Sequence, residues 1–412
     1  MRVFFVLAIT FLQCAYLFAD SPSNNPNTYK GTDSQRIAAA IAAAPDHGGI
    51  VRIPPREADS ISDRTFWLLD SAIILPANTT LILEGCVLKA SDSCRDNFIR
   101  TANCGIGIKK VEPIENVHVV GIGDVKLVGA DRPRATGDSA KILGKRTFGT
   151  DAGKEGESQS GDWRNIGILF ANARYFSIEG VAVVQAHCWS ISLEKCSFGK
   201  VRNISFDSSE RRIIDEKEVN VLNVDGLDLR KGCHDILIEN IVGHTGDDLI
   251  ALTAIDKVDK EGGVLKSTET SDFSTDENVD IYNITIRNVA GYASGGHQIV
   301  RLLNASGIKI YRVLIDGVVD TSPEGVVDRA TIRIGDANPA WGGVTPLGDT
   351  YGITVTNIHS QSRQAVLIAG SLTDSIISNV INYNPDVSGV GFESGKENVR
   401  NVRIDEFINV AK

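Results

Sequence analysis

Short runs of Ile, Val and Leu alternating with polar residues recur down most of this chain, separated by Gly, Asn, Asp and Ser. They stack as FSIEGVAV (176–183), VRNISFD (201–207), ILIENIVG (236–243), ITIRNVAG (284–291), IKIYRVLID (308–316), ITVTNIHS (353–360), IISNVINY (376–383) and VRIDEFIN (402–409). A marker position before the second Val, Ile or Phe holds Gly180, Asn203, Asn240, Asn288, Arg312, Asn357, Asn379 and Glu406, at spacings of 23, 37, 48, 24, 45, 22 and 27. A unit of 22–24 accounts for most of these, with 48 and 45 read as double steps and 37 as one turn carrying an inserted loop. Self-similarity at such a period predicts a solenoid in which each repeat buries its apolar side on the next. Strands this short and Ile/Val-rich fit a parallel β-helix. A leucine-rich repeat would need Leu-x-x-Leu-x-Leu, which is absent, and propeller blades run to ~40 residues or more. Recurrent Asn suits a turn that enters the left-handed region or stacks side-chain amides.

One helix precedes the repeats. Thr32 with Gln35 forms a capping-box pattern, Ile37 and Ile41 share a face of an Ala-rich run, and Pro45 with Gly48-Gly49 ends it. Such a helix would cap the open end of the stack, where unpaired strand edges invite association.

Composition refines this picture. A length of 412 residues alone suggests two or three domains, but a solenoid absorbs residues 20–412 into one elongated domain. Residues 1–19, MRVFFVLAITFLQCAYLFA, have the layout of a secretory signal peptide: Arg2, an apolar run, then Ala19 at the cut. No later stretch is apolar for long enough to span a bilayer. The expectation is a secreted or periplasmic protein with no membrane attachment after cleavage, and a monomer. The formal charge of −10, from 42 Lys+Arg against 52 Asp+Glu, argues against a nucleic-acid partner. It leaves carbohydrate open. Cys14 leaves with the signal; Cys86, Cys94, Cys104, Cys188, Cys196 and Cys233 remain. An even count in an exported chain permits disulfides, with Cys86, Cys94 and Cys104 close enough for a local bridge; burial as small hydrophobes is the alternative. No spacing indicates a metal site, and no cofactor is expected.

The chemistry concentrates in NVDGLDLRKGCHDILIENIVGHTGDDLIAL, residues 223–252. Asp225 and Asp247 are 22 apart, about one coil, so they would stack ~4.8 Å apart on neighbouring strands. Asp225, Asp247 and Asp248 would then gather on one patch, where like charges raise one another's proton affinity and separate an acid from a base. Asp247 and Asp248 can both face a cleft only if the backbone bends between them, which Gly246 allows. By spacing alone, turn capping and a calcium site remain equally open.

The segment resembles the signature of the polygalacturonase-like glycoside hydrolases, family 28. Asn-Thr-Asp-Gly-x-Asp corresponds to Asn223-Val224-Asp225-Gly226-Leu227-Asp228, and Gly-Asp-Asp-Cys-Ile-Ala to Gly246-Asp247-Asp248-Leu249-Ile250-Ala251. Ser-Gly-Gly-His-Gly corresponds to Ser294-Gly295-Gly296-His297-Gln298, and Arg-Ile-Lys to Arg333-Ile334-Gly335. The resemblance implies an all-β, single-stranded right-handed parallel β-helix and a secreted, metal-independent, inverting hydrolase of a polysaccharide, pectic and galacturonate-containing above all. It assigns Asp247 as general acid, Asp225 and Asp248 as holders and deprotonators of the attacking water, and His297 as the group that tunes protonation. Asn223 and Arg333 would bind substrate. Inversion implies ~6.5–9.5 Å between acid and base. Gly335 stands where the family has Lys, and Gln298 where it has Gly. The polar insertion 256–280 would wall one end of the cleft.

Of Trp163, Trp189 and Trp341, the last, in the loop DANPAWGG, is the candidate for sugar stacking; the other two are assigned to packing. Arg301, Arg230 and Lys231 could offer charge to an acidic polymer, although a solvated face is expected for the last two. The rival readings are a calcium-dependent polysaccharide lyase of the same superfamily and a non-catalytic glycan-binding β-helix.

Overall fold

A computed structural model describes residues 24–44, 49–60, 62–94, 96–105, 108, 110–132, 166–255, 257–258, 264–265, 277–305, 307–384 and 389–410. The expected signal segment, Cys14, Trp163 and most of the 256–280 insertion lie outside these residues.

The alternating runs fold as coils of a right-handed parallel β-helix. One wall is a ten-stranded sheet, parallel throughout, including strands Ile191–Glu194, Leu227–Arg230, Ile250–Ala254, Gln298–Asn304, Ala330–Ile334, Gln364–Ile368 and Val390–Phe392. The rest of each coil is a longer strand, such as Ser197–Asp207, His234–Thr245 or Ile281–Ala293, paired in an eighteen-stranded sheet. Inward positions stack like on like. Val201, Ile238, Ile286, Ile315, Val355 and Ile377 form one fully buried column through six coils. One apolar cluster runs from Ile37 to Val380.

Two corners of each coil are made by residues with φ near +55°. Asn203, Asn240, Asn288, Asn357, Asn379 and Glu406 form one ladder. Asn240 Nδ2 donates to Asn203 Oδ1 at 2.9 Å, and Asn288 Nδ2 to Asn240 Oδ1 at 3.2 Å. Asn takes the left-handed conformation at low cost and its amide bonds to the next coil, so both expected roles are met. Arg312 (φ 54°) belongs to the other ladder, beside Asn283 and Gly352; its place in the first is taken by Gly317. The reading of double steps is corrected accordingly. Asn240 and Asn288 sit on directly paired strands, so their 48-residue interval is a single coil with an insertion. The 37-residue interval is one coil carrying the antiparallel hairpin Arg211–Ile214 with Lys217–Asn220, as expected.

Helix Asp33–Ala42 caps the first coil. Thr32 and Gln35 form the reciprocal capping box, with bonds of 3.3 and 2.9 Å, and Ile37 and Ile41 are buried. Buried Asp33 accepts from Arg56 Nε at 2.9 Å, which ties the cap to the chain after the first strand. Of the two readings of the cysteines, the structure shows burial rather than a local bridge: Cys86, Cys94, Cys104, Cys188, Cys196 and Cys233 are free and buried. Their thiols face the interior, where Cys196 Sγ donates to Phe170 O and Cys233 Sγ to Leu193 O, each at 3.2 Å. Burial pushes the Cys86, Cys104 and Cys233 thiols up to about 12. Among the described residues no helix is long and apolar enough to cross a membrane.

Candidate active site

The outer face of the ten-stranded wall carries a groove of about 330 Å³. Asn223, Asp225, Asp247, Asp248, His297, Arg333 and Trp341, the seven residues expected from sequence, all line it.

Its floor is made where each coil returns to the wall. Strand His234–Thr245 ends, residues 246–249 turn, and Ile250–Ala254 enters the ten-stranded sheet. Gly246 is required in that turn, since a Cβ there would lie 2.6 Å from the Glu210 backbone nitrogen of the neighbouring hairpin. The bend lets both following carboxylates line the groove. Thr245 Oγ1 donates to Asp247 O at 2.7 Å, and Asp247 Oδ1 accepts from the Asp248 N–H at 2.9 Å. The register shifts the expected stacking by one residue. Leu227 pairs with Ile250, an offset of 23, so Asp248 rather than Asp247 lies over Asp225.

His297 Nδ1 lies 2.9 Å from Asp247 Oδ1. Asp248 is enclosed: its Oδ1 accepts from the Gln298 N–H at 3.1 Å and its Oδ2 from Arg301 at 3.3 Å. The contact from Gln298 is made by backbone, so its departure from the family Gly leaves this bond available. One oxygen of Asp247 and one of Asp248 lie within 4.8 Å, with a His297 nitrogen equally near. That is shorter than the acid–base gap expected, so inversion is not read from this pair. Three such groups could hold a metal ion, but Asp247 Oδ1 already accepts two bonds and Arg301 supplies a cation beside Asp248.

The electrostatics divide the four aspartates. Burial, then the charges of Asp247, Asp228 and Asp248, hold the Asp225 carboxyl well above its ordinary range. Burial does the same for Asp228 against the pull of Arg230. Asp225 Oδ1 and Asp228 Oδ2 are buried without a hydrogen-bond partner, consistent with carboxyls kept neutral. Asp248 is pushed up to about 6 by burial, with Arg301 opposing and Asp247 adding. Asp247 is different. Burial raises it, but the hydrogen bond and charge of His297 outweigh that and bring it below the usual carboxylate value. The same contact lifts His297 to about 9 against the cost of burial.

A carboxyl raised in the folded state ionises first in the unfolded chain, so it erodes stability as pH rises above ~4. Asp228→Asn is therefore expected to raise Tm by about 2 °C or more at pH 7, with a smaller gain at pH 4, read by thermal denaturation.

Several site residues differ from expectation. Arg230 and Lys231 are buried, not solvated, and the Arg230 guanidinium lies 4.4 Å over the Trp189 ring. Trp189 does pack, in a cluster with Leu169 and Cys188, but it also lines the groove. Trp341 closes a short 3-10 helix, Pro339–Trp341, and packs on Ile255, Leu303 and Ala305. The backbone of strand Lys257–Val258, from the insertion, lies against that helix. Asp336, Arg329 and Glu393 were not anticipated. Asp336 follows Arg333 by three residues, which is a readable signal; Glu393 is 60 residues away from Arg333 and carries none.

No protein-family model matches the chain, and no curated protein matches it in sequence. Solved structures do. An exopolygalacturonase from Thermotoga maritima superposes with a TM-score of 0.55 at 16% identity, covering 93% of this chain and 91% of that one. The fold is the polygalacturonase-like parallel β-helix. The A-module of the mannuronan C-5 epimerase AlgE4 from Azotobacter vinelandii matches equally well, with a TM-score of 0.55, 14% identity and coverage of 94% and 97%. A tailspike of E. coli bacteriophage HK620, solved with a pentasaccharide, gives 0.51 at 14% identity over 92% of this chain and 60% of that one. A hydrolase, an epimerase and a tailspike share the architecture, so the chemistry must be argued from the site.

Proposed function

We propose that this protein is an exported, monomeric glycoside hydrolase, with residues 20–412 as one catalytic domain acting on a polysaccharide of the pectic class. The observation that carries the reading is the convergence of Asp225, Asp247, Asp248 and His297, from three coils, on one groove.

In this reading Asp247 protonates the leaving glycosidic oxygen. His297 stores that proton 2.9 Å away. Substrate covering the groove excludes water from the charge-separated pair and favours transfer of the proton from His297 to the Asp247 carboxyl. As the C–O bond breaks, a water oxygen bonds to the anomeric carbon. Its proton passes to Asp248, the carboxylate ionised above about pH 6. Asp225, held neutral, orients that water, and Asn223 and Trp341 position the sugar. No step calls for a metal.

The test is a polysaccharide panel, with product size and anomeric configuration read by proton NMR. The expected result is saturated oligosaccharides at a rate unchanged by chelator, with the anomeric configuration showing whether the short Asp247–Asp248 gap still admits attack from the opposite face. Unsaturated products lost on chelation would support the lyase reading instead, and binding without cleavage the non-catalytic one.

A further inference from the structure

The wall of the groove beyond the aspartates is a chain of alternating charges. Arg301 lies 3.3 Å from Asp248 and 2.8 Å from Asp336; Arg333 lies 3.0 Å from Asp336 and 3.3 Å from Glu393; Arg329 lies 2.8 Å from Glu393. Three arginines face three carboxylates, so the formal charge of this wall is zero. The Asp248, Asp336, Arg333 and Arg301 side chains are at most 15% exposed, which leaves the pairs little screened by water.

A lysine could not be added here. Gly335 has φ +75° and packs on Gly370, where a Cβ would meet Cα at 2.6 Å. Two coils touch through backbone at this point. Beside this wall Trp341 supplies an apolar ring, with the Arg301 guanidinium 6.0 Å from its centre.

We infer that the sugar residue held along this wall is uncharged: a neutral hexose or pentose, or a uronate masked as its ester. The inference rests on the hydrolase reading and narrows its substrate. Paired carboxylates and guanidinium edges are good partners for sugar hydroxyls, which both donate and accept. A free carboxylate would instead bring a fourth anion to three arginines whose charges are already offset, so any guanidinium edge it reached would be one that Asp248, Asp336 or Glu393 already neutralises. The chain as a whole, at −10, gives no compensating attraction.

The experiment compares initial rates on polymers that differ in charge: methyl-esterified pectin against the same pectin after de-esterification, with galactan and polygalacturonate alongside. The neutral member of the pair is expected to be cleaved at least about tenfold faster. Added salt should narrow the gap, because screening relieves repulsion of the acidic polymer; a cationic groove would respond in the opposite sense. Glu393→Gln removes the anion shared by Arg329 and Arg333, on a side chain that is 30% exposed, and should move the ratio about tenfold toward the acidic polymer. Wild type preferring the de-esterified polymer, or a ratio unmoved in a folded Glu393→Gln protein, would overturn the inference and leave the hydrolase reading standing. Failure to cleave any polymer would overturn the hydrolase reading, and the inference with it.

Discussion

Asp247→Asn lowers kcat by roughly 10³-fold while KM changes little, as expected for a group that acts on the leaving oxygen rather than on binding. Asn keeps the shape and can still accept from the Asp248 N–H, the bond that pins the turn at 2.9 Å. It cannot take a proton from His297 and pass it on. The effect should therefore appear in turnover, with circular dichroism close to wild type and Tm lowered only by the loss of the His297 pair. His297 offers a second readout. It is lifted to about 9 by the Asp247 carboxylate, so in Asp247→Asn its titration by NMR should fall toward the ordinary value near ~6.5. A kcat within tenfold of wild type would remove Asp247 from the acid role.

The second large effect is in pH dependence and its control by Arg301. Asp248 must be ionised to take a proton from water, so kcat/KM is expected to fall as pH drops through about 6. His297 must be protonated to supply Asp247, so it should fall again as pH rises through about 9. Arg301 holds Asp248 down against burial and the charge of Asp247. Arg301→Gln leaves Asp248 and Asp336 without their shared cation, so the acid limb should move upward and kcat/KM at pH 6 should fall about 10²-fold or more. Breaking a buried pair also costs ~3–5 kcal/mol, so folding must be checked by Tm first. In protein that folds, an unmoved acid limb would separate Asp248 from the base role. The Asp247–His297 contact has a stability consequence of its own: its contribution is complete below the unfolded His value of ~6.5 and is lost as pH rises through about 9.

The solenoid was legible because its instructions are local. Asn203, Asn240 and Asn288 announce a left-handed corner in each coil, and Thr32 with Gln35 announces the cap. Arg312 was placed in the wrong ladder because both corners are flanked by the same Ile/Val alternation, and only pairing tells them apart. Likewise, an interval of 48 residues reads equally as two plain coils or as one with an insertion. The cysteines could not be resolved by count, since exported chains use them as bridges and cores use them as small apolar groups. In the site, Asp225, Asp247, Asp248, His297 and Arg333 were marked by four ordered motifs. The burial of Arg230 against Trp189 and the pairing of Arg329 with Glu393 were not, because they join residues 41 and 64 positions apart on stacked coils, where no local pattern speaks.

The central claim is that this groove cuts a polysaccharide by adding water across a glycosidic bond, with Asp247 as acid. Mass spectrometry of the products from the polymer selected by the panel tests it most directly, using wild type and Asp247→Asn side by side. The account predicts fragments whose masses sum to the substrate plus one water per cut, formed by wild type and nearly absent with the variant. Fragments that sum to the substrate alone, each cut leaving a double bond, or equal yields from both proteins, would contradict it.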